Sequence, residues 1–342
     1  MSRKIFFHIP GDSACALYRS TLPHLHCYHN LSKQGINLVG ADKTINNEEF
    51  DCYVFNRVIR TDFYNNYVVK LIEKNKDLVW QTDDDLWNIP SWNPSSKLLG
   101  KNDLEVTSKY IENSSLIIIS TEPLRKRFIG GNTVVLPNLI DINYFDRPQI
   151  KKPPLKILWC GSVSHHADFD DVIEPITKIL EKYKEIAVIF WGYLPTQLAN
   201  FIREPGFPHA SLAPKYPNLY FGEWFDIRLY FDKLVDLAPD IALIPLNDCE
   251  FNKNKSNLKF LEMSMAGAAC IASDLEPYKC IKHNETGLLA SKPEEWYDYL
   301  VELIENKDLR TKIVKNAQVQ IKEEYSWQCS KQKLWENTLA QL

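Results

Sequence analysis

The sequence alternates short β-branched and aromatic runs with longer amphipathic stretches, in one series in each half of the chain. Such runs are typical of strands buried on both faces of a parallel sheet, with helices between them. Each half is therefore predicted to form its own doubly wound α/β sheet. The predicted strands are Lys4–His8, Asn37–Val39, Cys52–Asn56, Leu78–Gln81, Leu116–Ser120, Val134–Leu136, Lys156–Cys160, Ala187–Trp191, Leu219–Gly222, Ile241–Ile244, Ala269–Ala272 and Gly287–Ala290. The predicted helices are Ala14–Ser32, Asp62–Glu73, Phe169–Lys182, Leu258–Met265, Glu294–Glu305 and Leu309–Glu324.

A basic, proline-rich segment separates the two series. Asp146–Pro154 contains three prolines and three basic residues, which cannot continue a helix or a central strand. We therefore predict a first domain at residues 1–148, a linker at 149–155 and a second domain at 156–324. Residues 325–342 are predicted to form a helix that packs back on the first domain. Ligands of doubly wound sheets bind outside the carboxyl ends of the strands, so the segments after each strand are the candidate sites.

Composition excludes several classes of protein. The formal net charge of -4 gives no overall basic field for nucleic acid or an anionic membrane. The apolar run near the N-terminus is too short for a signal peptide, and no stretch reaches the roughly 18 apolar residues of a membrane span. The eight cysteines include no CxxC pair, so neither a zinc site nor a disulfide framework is expected. A cytoplasmic protein with reduced thiols is the expectation.

One helix start concentrates lysines where an anion would bind. Lys255 precedes the predicted helix Leu258–Met265, Lys259 lies in its first turn, and Ser256 is a candidate N-cap. Lysines are unfavourable at the positive end of a helix dipole unless an anion compensates them. Glu262 follows one turn later. This spacing suits a pyrophosphate at the helix start and a ribose diol on the Glu262 carboxylate, although ordinary surface lysines give the same pattern.

Four motifs are informative in combination. Lys255–Glu262 has the form KSxxKxxE and is followed by Gly267 and Asn284–Leu289, while Ile119–Leu124 and Leu136–Asp141 precede it. Together they resemble the donor-binding and domain-closing elements of group 1 (family 4-like) glycosyltransferases of the GT-B fold. The resemblance extends over about the whole chain and is weakest at residues 20–75. It implies two Rossmann-like domains facing a central cleft, with a nucleoside-diphosphate sugar in the second domain and the acceptor in the first.

The resemblance also implies roles for individual residues. Lys259 would stabilise the leaving diphosphate, whose charge grows in the transition state. Transfer of a hexosyl or pentosyl group with retention of configuration is implied, with no cofactor; a divalent metal is conceivable but not expected. In the loop after Lys156–Cys160, Gly161 permits close backbone approach and Ser162 can donate to a phosphate. The implied donor-binding residues are Gly161, Ser162, Lys255, Ser256, Asn257, Leu258, Lys259 and Glu262.

The chain departs from the family pattern at one position. Many members carry two glutamates eight positions apart, of which the second matches Glu262. The first position here is Asn254, and in the family that glutamate lies near the transferred sugar. The identity of a catalytic carboxylate in the second domain is therefore open.

The loop after the first strand is a candidate for the acceptor or sugar side. Gly11 suits a tight strand-to-helix turn, and Asp12 or Ser13 can cap the following helix. Arg19 lies about two turns into that helix, where it would reach an anionic group or pair at the surface. The resemblance implies that this loop faces the cleft.

Three adjacent carboxylates follow another strand. Asp83, Asp84 and Asp85 repel one another unless they are solvated, paired or bound to a cation. One of them is expected to bind a sugar hydroxyl or to act as a base toward the acceptor, and helix capping or a metal are the alternatives. Arg57 is expected to neutralise the cluster or to bind an anionic acceptor.

Other functions remain open at this point. A nucleotide-sugar epimerase would convert the donor without an acceptor, and an inactive homologue would bind the nucleotide only. Acceptors compatible with the sequence are a glycan, a lipid-linked sugar, a protein or a modified DNA base. The acidic composition argues against DNA, whereas small basic clusters allow peripheral contact with a membrane.

Overall fold

The computed structural model describes residues 2–11, 13–41, 49–196, 198, 216–223 and 225–342. This part of the chain forms two six-stranded parallel sheets, with strand orders β2-β1-β3-β4-β5-β6 and β12-β11-β10-β7-β8-β9. The predicted α/β class and all twelve predicted strands are confirmed, with small shifts at their ends. The strands are β1 Arg3–His8, β2 Ile36–Ala41, β3 Cys52–Asn56, β4 Asp77–Thr82, β5 Leu116–Ile119, β6 Thr133–Val135, β7 Lys156–Cys160, β8 Ala187–Trp191, β9 Leu219–Gly222, β10 Ile241–Ile244, β11 Ala269–Ser273 and β12 Leu288–Ala290.

Helices fill the connections between strands. The helix after β1 contains a π-helical stretch at Leu17–Thr21, and another lies at Tyr64–Val68. Two predicted starts are wrong. The helix expected from Phe169 begins at Ile173, because Val163–Phe169 forms a 3-10 helix. The helix expected over residues 325–342 begins at Gln332, because Ser326 pairs with Ile140 in a β-bridge. The α-helices are α1 Ala14–Ala16, α2 Leu22–Ser32, α3 Thr61–Phe63, α4 Val69–Glu73, α5 Ser95–Leu98, α6 Lys101–Glu112, α7 Glu122–Arg125, α8 Ile173–Lys182, α9 Ile227–Leu237, α10 Glu250–Lys253, α11 Leu258–Met265, α12 Pro293–Glu305, α13 Lys307–Glu324 and α14 Gln332–Gln341.

The hydrophobic core joins the two sheets. Alternate strand residues divide between the faces, so Ile5 and Phe7 pack on one side of β1 while Phe6 packs on the other. One cluster contains Phe7 and Val54 of the first sheet together with Leu158 of the second. Two further clusters cover the remaining faces. Buried apolar contacts therefore connect the two sheets in addition to the linker.

The C-terminal segment returns to the first domain. The main chain of Ile140 exchanges hydrogen bonds with Tyr325 and Trp327, at 2.8 and 3.0 Å. Helix α14 packs against α2, and the buried indole of Trp335 donates to the carbonyl of Pro137 at 3.2 Å. Residues 325–342 are thus attached to the segment after β6 and to α2. Within the described ranges, no helix has the length and apolarity needed to cross a bilayer.

Candidate donor and acceptor site

The loop before α11 docks against the first domain. The carbonyl of Asn254 accepts from the Thr121 hydroxyl at 2.9 Å, and its side-chain amide donates to Asp85 at 3.2 Å. The Asn138 amide donates to the Ser256 hydroxyl at 3.1 Å. Segments after the strands of both sheets thus meet here, at the edge where a doubly wound fold binds its ligands.

The start of α11 presents free backbone donors. Asn257 is the N-cap residue, and its side chain makes no capping hydrogen bond. The expectation that Ser256 caps this helix is wrong. Its hydroxyl instead accepts a hydrogen bond from the side-chain amide of Asn138 in the first domain. The first amides of an α-helix have no intrahelical acceptor, and Leu258 begins this helix. The uncapped start of α11 is therefore suited to an anion.

Two lysines flank this helix start. The Lys255 ammonium lies 4.9 Å from the centre of the Phe251 ring. The Lys259 ammonium lies 3.4 Å from the Cys160 sulfur and 3.9 Å from Glu262 Oε2. Burial opposes the charge of Lys259, but Cys160 and Glu262 outweigh burial and raise its pKa. A positive charge is thus maintained beside the helix start at neutral pH.

The Glu262 carboxylate is buried between two tyrosines. Its Oε1 accepts from the Tyr18 hydroxyl of the first domain at 2.8 Å, and its Oε2 accepts from Tyr230 at 3.0 Å. Only 5% of Glu262 is exposed. A ribose diol at this carboxylate would have to share it with these hydroxyls or replace one of them. Sequence reasoning missed both tyrosines, because they come from distant helices.

The loop after β7 packs closely around Gly161. A Cβ on Gly161 would lie 2.6 Å from the Trp159 ring, so glycine is required there. The Ser162 hydroxyl accepts from the Ser164 amide at 3.3 Å and caps the 3-10 turn. A side chain at 161 would also meet His165, at 3.2 Å from its ring. The assignment of Gly161 and Ser162 as donor contacts stays a prediction.

His165 belongs to a network that sequence reasoning did not find. Its Nδ1 lies 2.7 Å from Asp168, which also accepts from the Asn247 amide and the Asn252 side chain, both at 2.8 Å. Burial and the charge of Lys255 lower the pKa of His165, although Asp168 opposes them. The imidazole is therefore neutral at pH 7 and is held facing the α11 start. The i, i+3 spacing of His165 and Asp168 was the available sequence signal.

Arg57 holds two of the three adjacent carboxylates. Its Nη1 donates to Asp84 at 2.7 Å and to Asp83 at 3.4 Å, and it also lies 2.7 Å from the Cys15 sulfur. The Arg57 backbone has φ 62, and its amide donates to Gln81 at 2.8 Å. A left-handed conformation is uncommon for arginine. The β4 contact thus stabilises a strained backbone that directs this guanidinium at the carboxylates.

The pKa values of Asp83 and Asp84 are shifted in opposite directions. Burial and the charge of Asp84 raise the pKa of Asp83. Burial would also raise the pKa of Asp84, but Arg57 and Lys255 outweigh it and lower this pKa. Lys255 belongs to the second domain, so its charge acts across the cleft. Of the two, Asp84 therefore favours the ionised form more strongly, and Asp83 takes up a proton more readily.

Asp85 has a different role from its two neighbours. Its carboxylate is 1% exposed, accepts from Asn88 at 2.7 Å and from Asn254 at 3.2 Å, and lies 3.8 Å from Arg127. It therefore anchors the loop after β4 and joins the two domains. The structure does not bring Asp85 to the Arg57 cluster.

The loop after β1 places Gly11 at a cavity between the domains and Ser13 at the start of α1. Gly11 has φ +66 and lines an interdomain cavity of about 390 Å3 beside α9, with Tyr144 and Arg228. Ser13 caps α1 by accepting from Ala16 at 3.1 Å, whereas Asp12 lies outside the described residues.

The expectation that Arg19 faces an acceptor needs correction, because this side chain is fully buried. It donates to the Leu136 carbonyl at 2.7 Å and to Asn138 at 3.1 Å, and it stacks 4.8 Å from the Trp335 ring centre. Arg19 therefore ties the first helix to the C-terminal helix.

Within the described ranges, one group of side chains has the spacing of metal ligands. One atom each of Cys15, Asp83 and Asp84 lies within 4.8 Å of the others. Burial and the charge of Asp83 raise the pKa of the Cys15 thiol, so it is a poor ligand at neutral pH. The Arg57 guanidinium lies among these same groups and supplies the positive charge. The donor set does not favour a divalent metal.

Comparisons with known proteins give the fold. No family model and no curated protein match the sequence. HepE from Anabaena, solved with UDP and glucose, is similar at a TM-score of 0.66 and 14% identity, covering 99% of this chain and 100% of HepE. A glycosyltransferase from Rickettsia africae is similar at a TM-score of 0.62 and 13% identity, covering 99% of this chain and 96% of that protein. TarM is similar at a TM-score of 0.62 and 14% identity over 92% of this chain. The match spans only 57% of the length of TarM. The chain has the two-domain GT-B fold of these glycosyltransferases, as the motif resemblance predicted.

Proposed function

We propose that this protein transfers a sugar from a nucleoside-diphosphate sugar to an acceptor hydroxyl. The observation that carries the proposal is that the lysine-flanked start of α11 faces the loop that carries Asp84. Asn254, just before α11, is hydrogen-bonded to Asp85 of that loop, and the charge of Lys255 lowers the pKa of Asp84. One side suits a diphosphate and the other suits a hydroxyl that must lose a proton.

The donor would lie on the second domain. Backbone amides at Leu258, with Lys255 and Lys259, would hold the diphosphate, and Ser162 would add a hydroxyl donor. Glu262 would bind the ribose diol in place of, or together with, the Tyr18 hydroxyl. HepE structures hold UDP and UDP-glucose, so a uridine diphosphate hexose is the first donor to test.

The reaction replaces one bond at the anomeric carbon. The acceptor oxygen forms a bond to this carbon as the carbon–oxygen bond to the diphosphate breaks, and the bonding electrons leave with the diphosphate. Lys255 and Lys259 stabilise that growing charge. Asp84 would accept the acceptor proton, and Asp83, whose pKa burial and Asp84 raise, would bind a sugar hydroxyl. Attack from the face that the diphosphate leaves would retain configuration, in keeping with the family resemblance.

Calorimetry with UDP, GDP, ADP and their hexoses tests the donor site. Lys259→Ala and Glu262→Ala are each expected to weaken binding by about 1.5–3 kcal/mol, since each loses a charged hydrogen bond. Lys253→Ala is the matched control, because this lysine pairs with Asp248 at 2.8 Å. Equal affinity in all variants would contradict the assigned site.

Product analysis tests the reaction. Incubation of the bound donor with glycan, lipid-linked and nucleobase acceptors should give transfer, and NMR of the product reports the anomeric configuration. Conversion of the donor without an acceptor would identify an epimerase. Nucleotide binding without turnover on any acceptor would identify an inactive homologue.

A further inference from the structure

A second cation-lined cavity lies at the opposite end of the second sheet from the donor site. Its volume is about 380 Å3. Asp240 and Gly267, which line it, precede β10 and β11, so the cavity lies at the amino ends of these strands. The donor residues follow the carboxyl ends. The length of α11, about 12 Å for eight residues, separates the two places.

The cavity combines four cations with one carboxylate. Lys307, Arg310 and Lys315 line it from α13, Lys151 lines it from the linker, and Asp240 is the carboxylate. Among the described residues, Lys307 and Lys315 have no carboxylate within ion-pair distance, while Lys151 lies 3.8 Å from Asp240. The whole chain is acidic, with a formal net charge of -4. The lining of this cavity therefore carries a net positive charge on a chain that is acidic as a whole.

The ammonium of Lys151, whose side chain is 38% exposed, is fixed by main-chain carbonyls, among them that of Pro239. Lys151 donates to the Gly267 carbonyl at 2.8 Å and to the Ala238 carbonyl at 3.3 Å. Burial, with the charges of Lys156 and Arg310, lowers the pKa of Lys151 to about 8, although Asp240 opposes them. An anion in the cavity would relieve this repulsion and strengthen the fixed geometry.

We propose that this cavity binds a phosphate-bearing small molecule. A phosphate group offers several oxygens that accept from lysine and arginine donors on different sides, and the cavity has room for more than the phosphate alone. The bound group would join the linker to α13.

The same cavity borders the end of the donor helix. The Gln149 amide donates to the Met265 carbonyl at 2.5 Å, and Gln318 of α13 donates to the Ser264 carbonyl at 3.2 Å. A ligand between the linker and α13 would thus restrain the last turn of α11. Since α11 begins at the donor loop, the effect of the ligand would be transmitted along one short helix.

The test is calorimetry with inorganic phosphate and with glucose 6-phosphate, at low ionic strength, using the Lys259→Ala protein so that the donor site does not compete. Lys307→Ala/Lys315→Ala in this background is expected to weaken binding at least about tenfold, since two nearby positive charges are lost. Lys312→Ala, on the same helix but outside the cavity, is the matched control. Lys307 and Lys315 are both exposed, and melting curves check that the variants fold.

Hydrogen exchange localises the ligand. Phosphate should slow exchange at the linker and at the last turn of α11, and not in the double variant. Phosphatidylglycerol vesicles distinguish a lipid phosphate from a free one: cosedimentation lost in the double variant would identify the headgroup. Equal binding by the double variant, protection confined to residues 255–262, or no binding in either form would overturn the proposal. None of these outcomes depends on nucleotide binding at α11.

Discussion

The Tyr18 hydroxyl donates a 2.8 Å hydrogen bond to Glu262 Oε1, across 244 positions of the chain and between the two domains. Tyr18 lies in the π-helical stretch after β1, and Glu262 lies in the donor helix. This bond places a first-domain side chain on the carboxylate proposed to bind ribose.

Replacement of Tyr18 by Phe should free the Glu262 carboxylate. If ribose displaces Tyr18 in the wild type, binding must break a hydrogen bond worth about 1.5 kcal/mol. The Phe variant has no such bond to break, so the Kd of the nucleotide should fall about tenfold. Calorimetry with UDP measures this change, and Tyr230→Phe, which removes a bond within the second domain, is the comparison. An unchanged Kd in Tyr18→Phe would mean that ribose and tyrosine share the carboxylate.

Restoring the family glutamate at position 254 should destabilise this chain. Asn254→Glu places a second carboxylate against Asp85, which is 1% exposed, and should lower the free energy of unfolding by about 2–4 kcal/mol. Adding Asp85→Asn should recover most of the loss, because the new glutamate then meets an amide. Denaturant unfolding measures both. Full stability of the single variant would show that Asn254 does not position the interface.

The two carboxylates on Arg57 should respond differently to amide replacement. Asp84→Asn removes the proposed base and should lower kcat about 10²- to 10⁴-fold. Asp83→Asn should cost less activity than Asp84→Asn, because the raised pKa of Asp83 makes its ionised form the less favoured of the two. Steady-state kinetics on the identified acceptor measures both. Equal losses would contradict the assignment of acid and base.

The C-terminal helix should be essential for stability. Trp335 is fully buried, contacts Arg19 and donates to Pro137. Trp335→Ala should cost about 3–5 kcal/mol. Leu334→Ala, at a position that is 47% exposed, should stay within about 0.5 kcal/mol of the wild type. Thermal and urea unfolding compare them, and similar effects would show that α14 does not dock as described.

Asp141 should make stability depend on acid pH. Burial would raise its pKa, but hydrogen bonds from His26, Asn143 and Gln328 outweigh burial and lower it. A folded pKa below the unfolded value of about 3.9 gives stability that is present above pH 3.9 and is lost as pH falls through the folded pKa. Asp141→Asn should therefore flatten the fall in unfolding free energy below pH 4. An unchanged slope would assign acid sensitivity to other carboxylates.

The strands and the lysine-flanked helix α11 were predictable from the sequence because both are local. Buried strands require continuous apolar runs, and α11 is marked by apolar spacing at Leu258, Leu261 and Met265. Ser256 was misassigned because its hydroxyl has an equally good partner in Asn138, 118 positions away. Asp12 lies outside the described residues, so its capping role stays a prediction.

The sequence by itself determined the two parallel sheets and the position of helix α11 with its flanking lysines, because hydrophobic periodicity and helix-start chemistry act within a few residues. Only the tertiary structure decided that Arg19 is buried against Trp335, that Asp85 binds Asn254, and that Glu262 is shared by two tyrosines. These contacts join residues that are distant in the chain. Their energies depend on burial and on the partner's position, and neither is encoded in any local pattern.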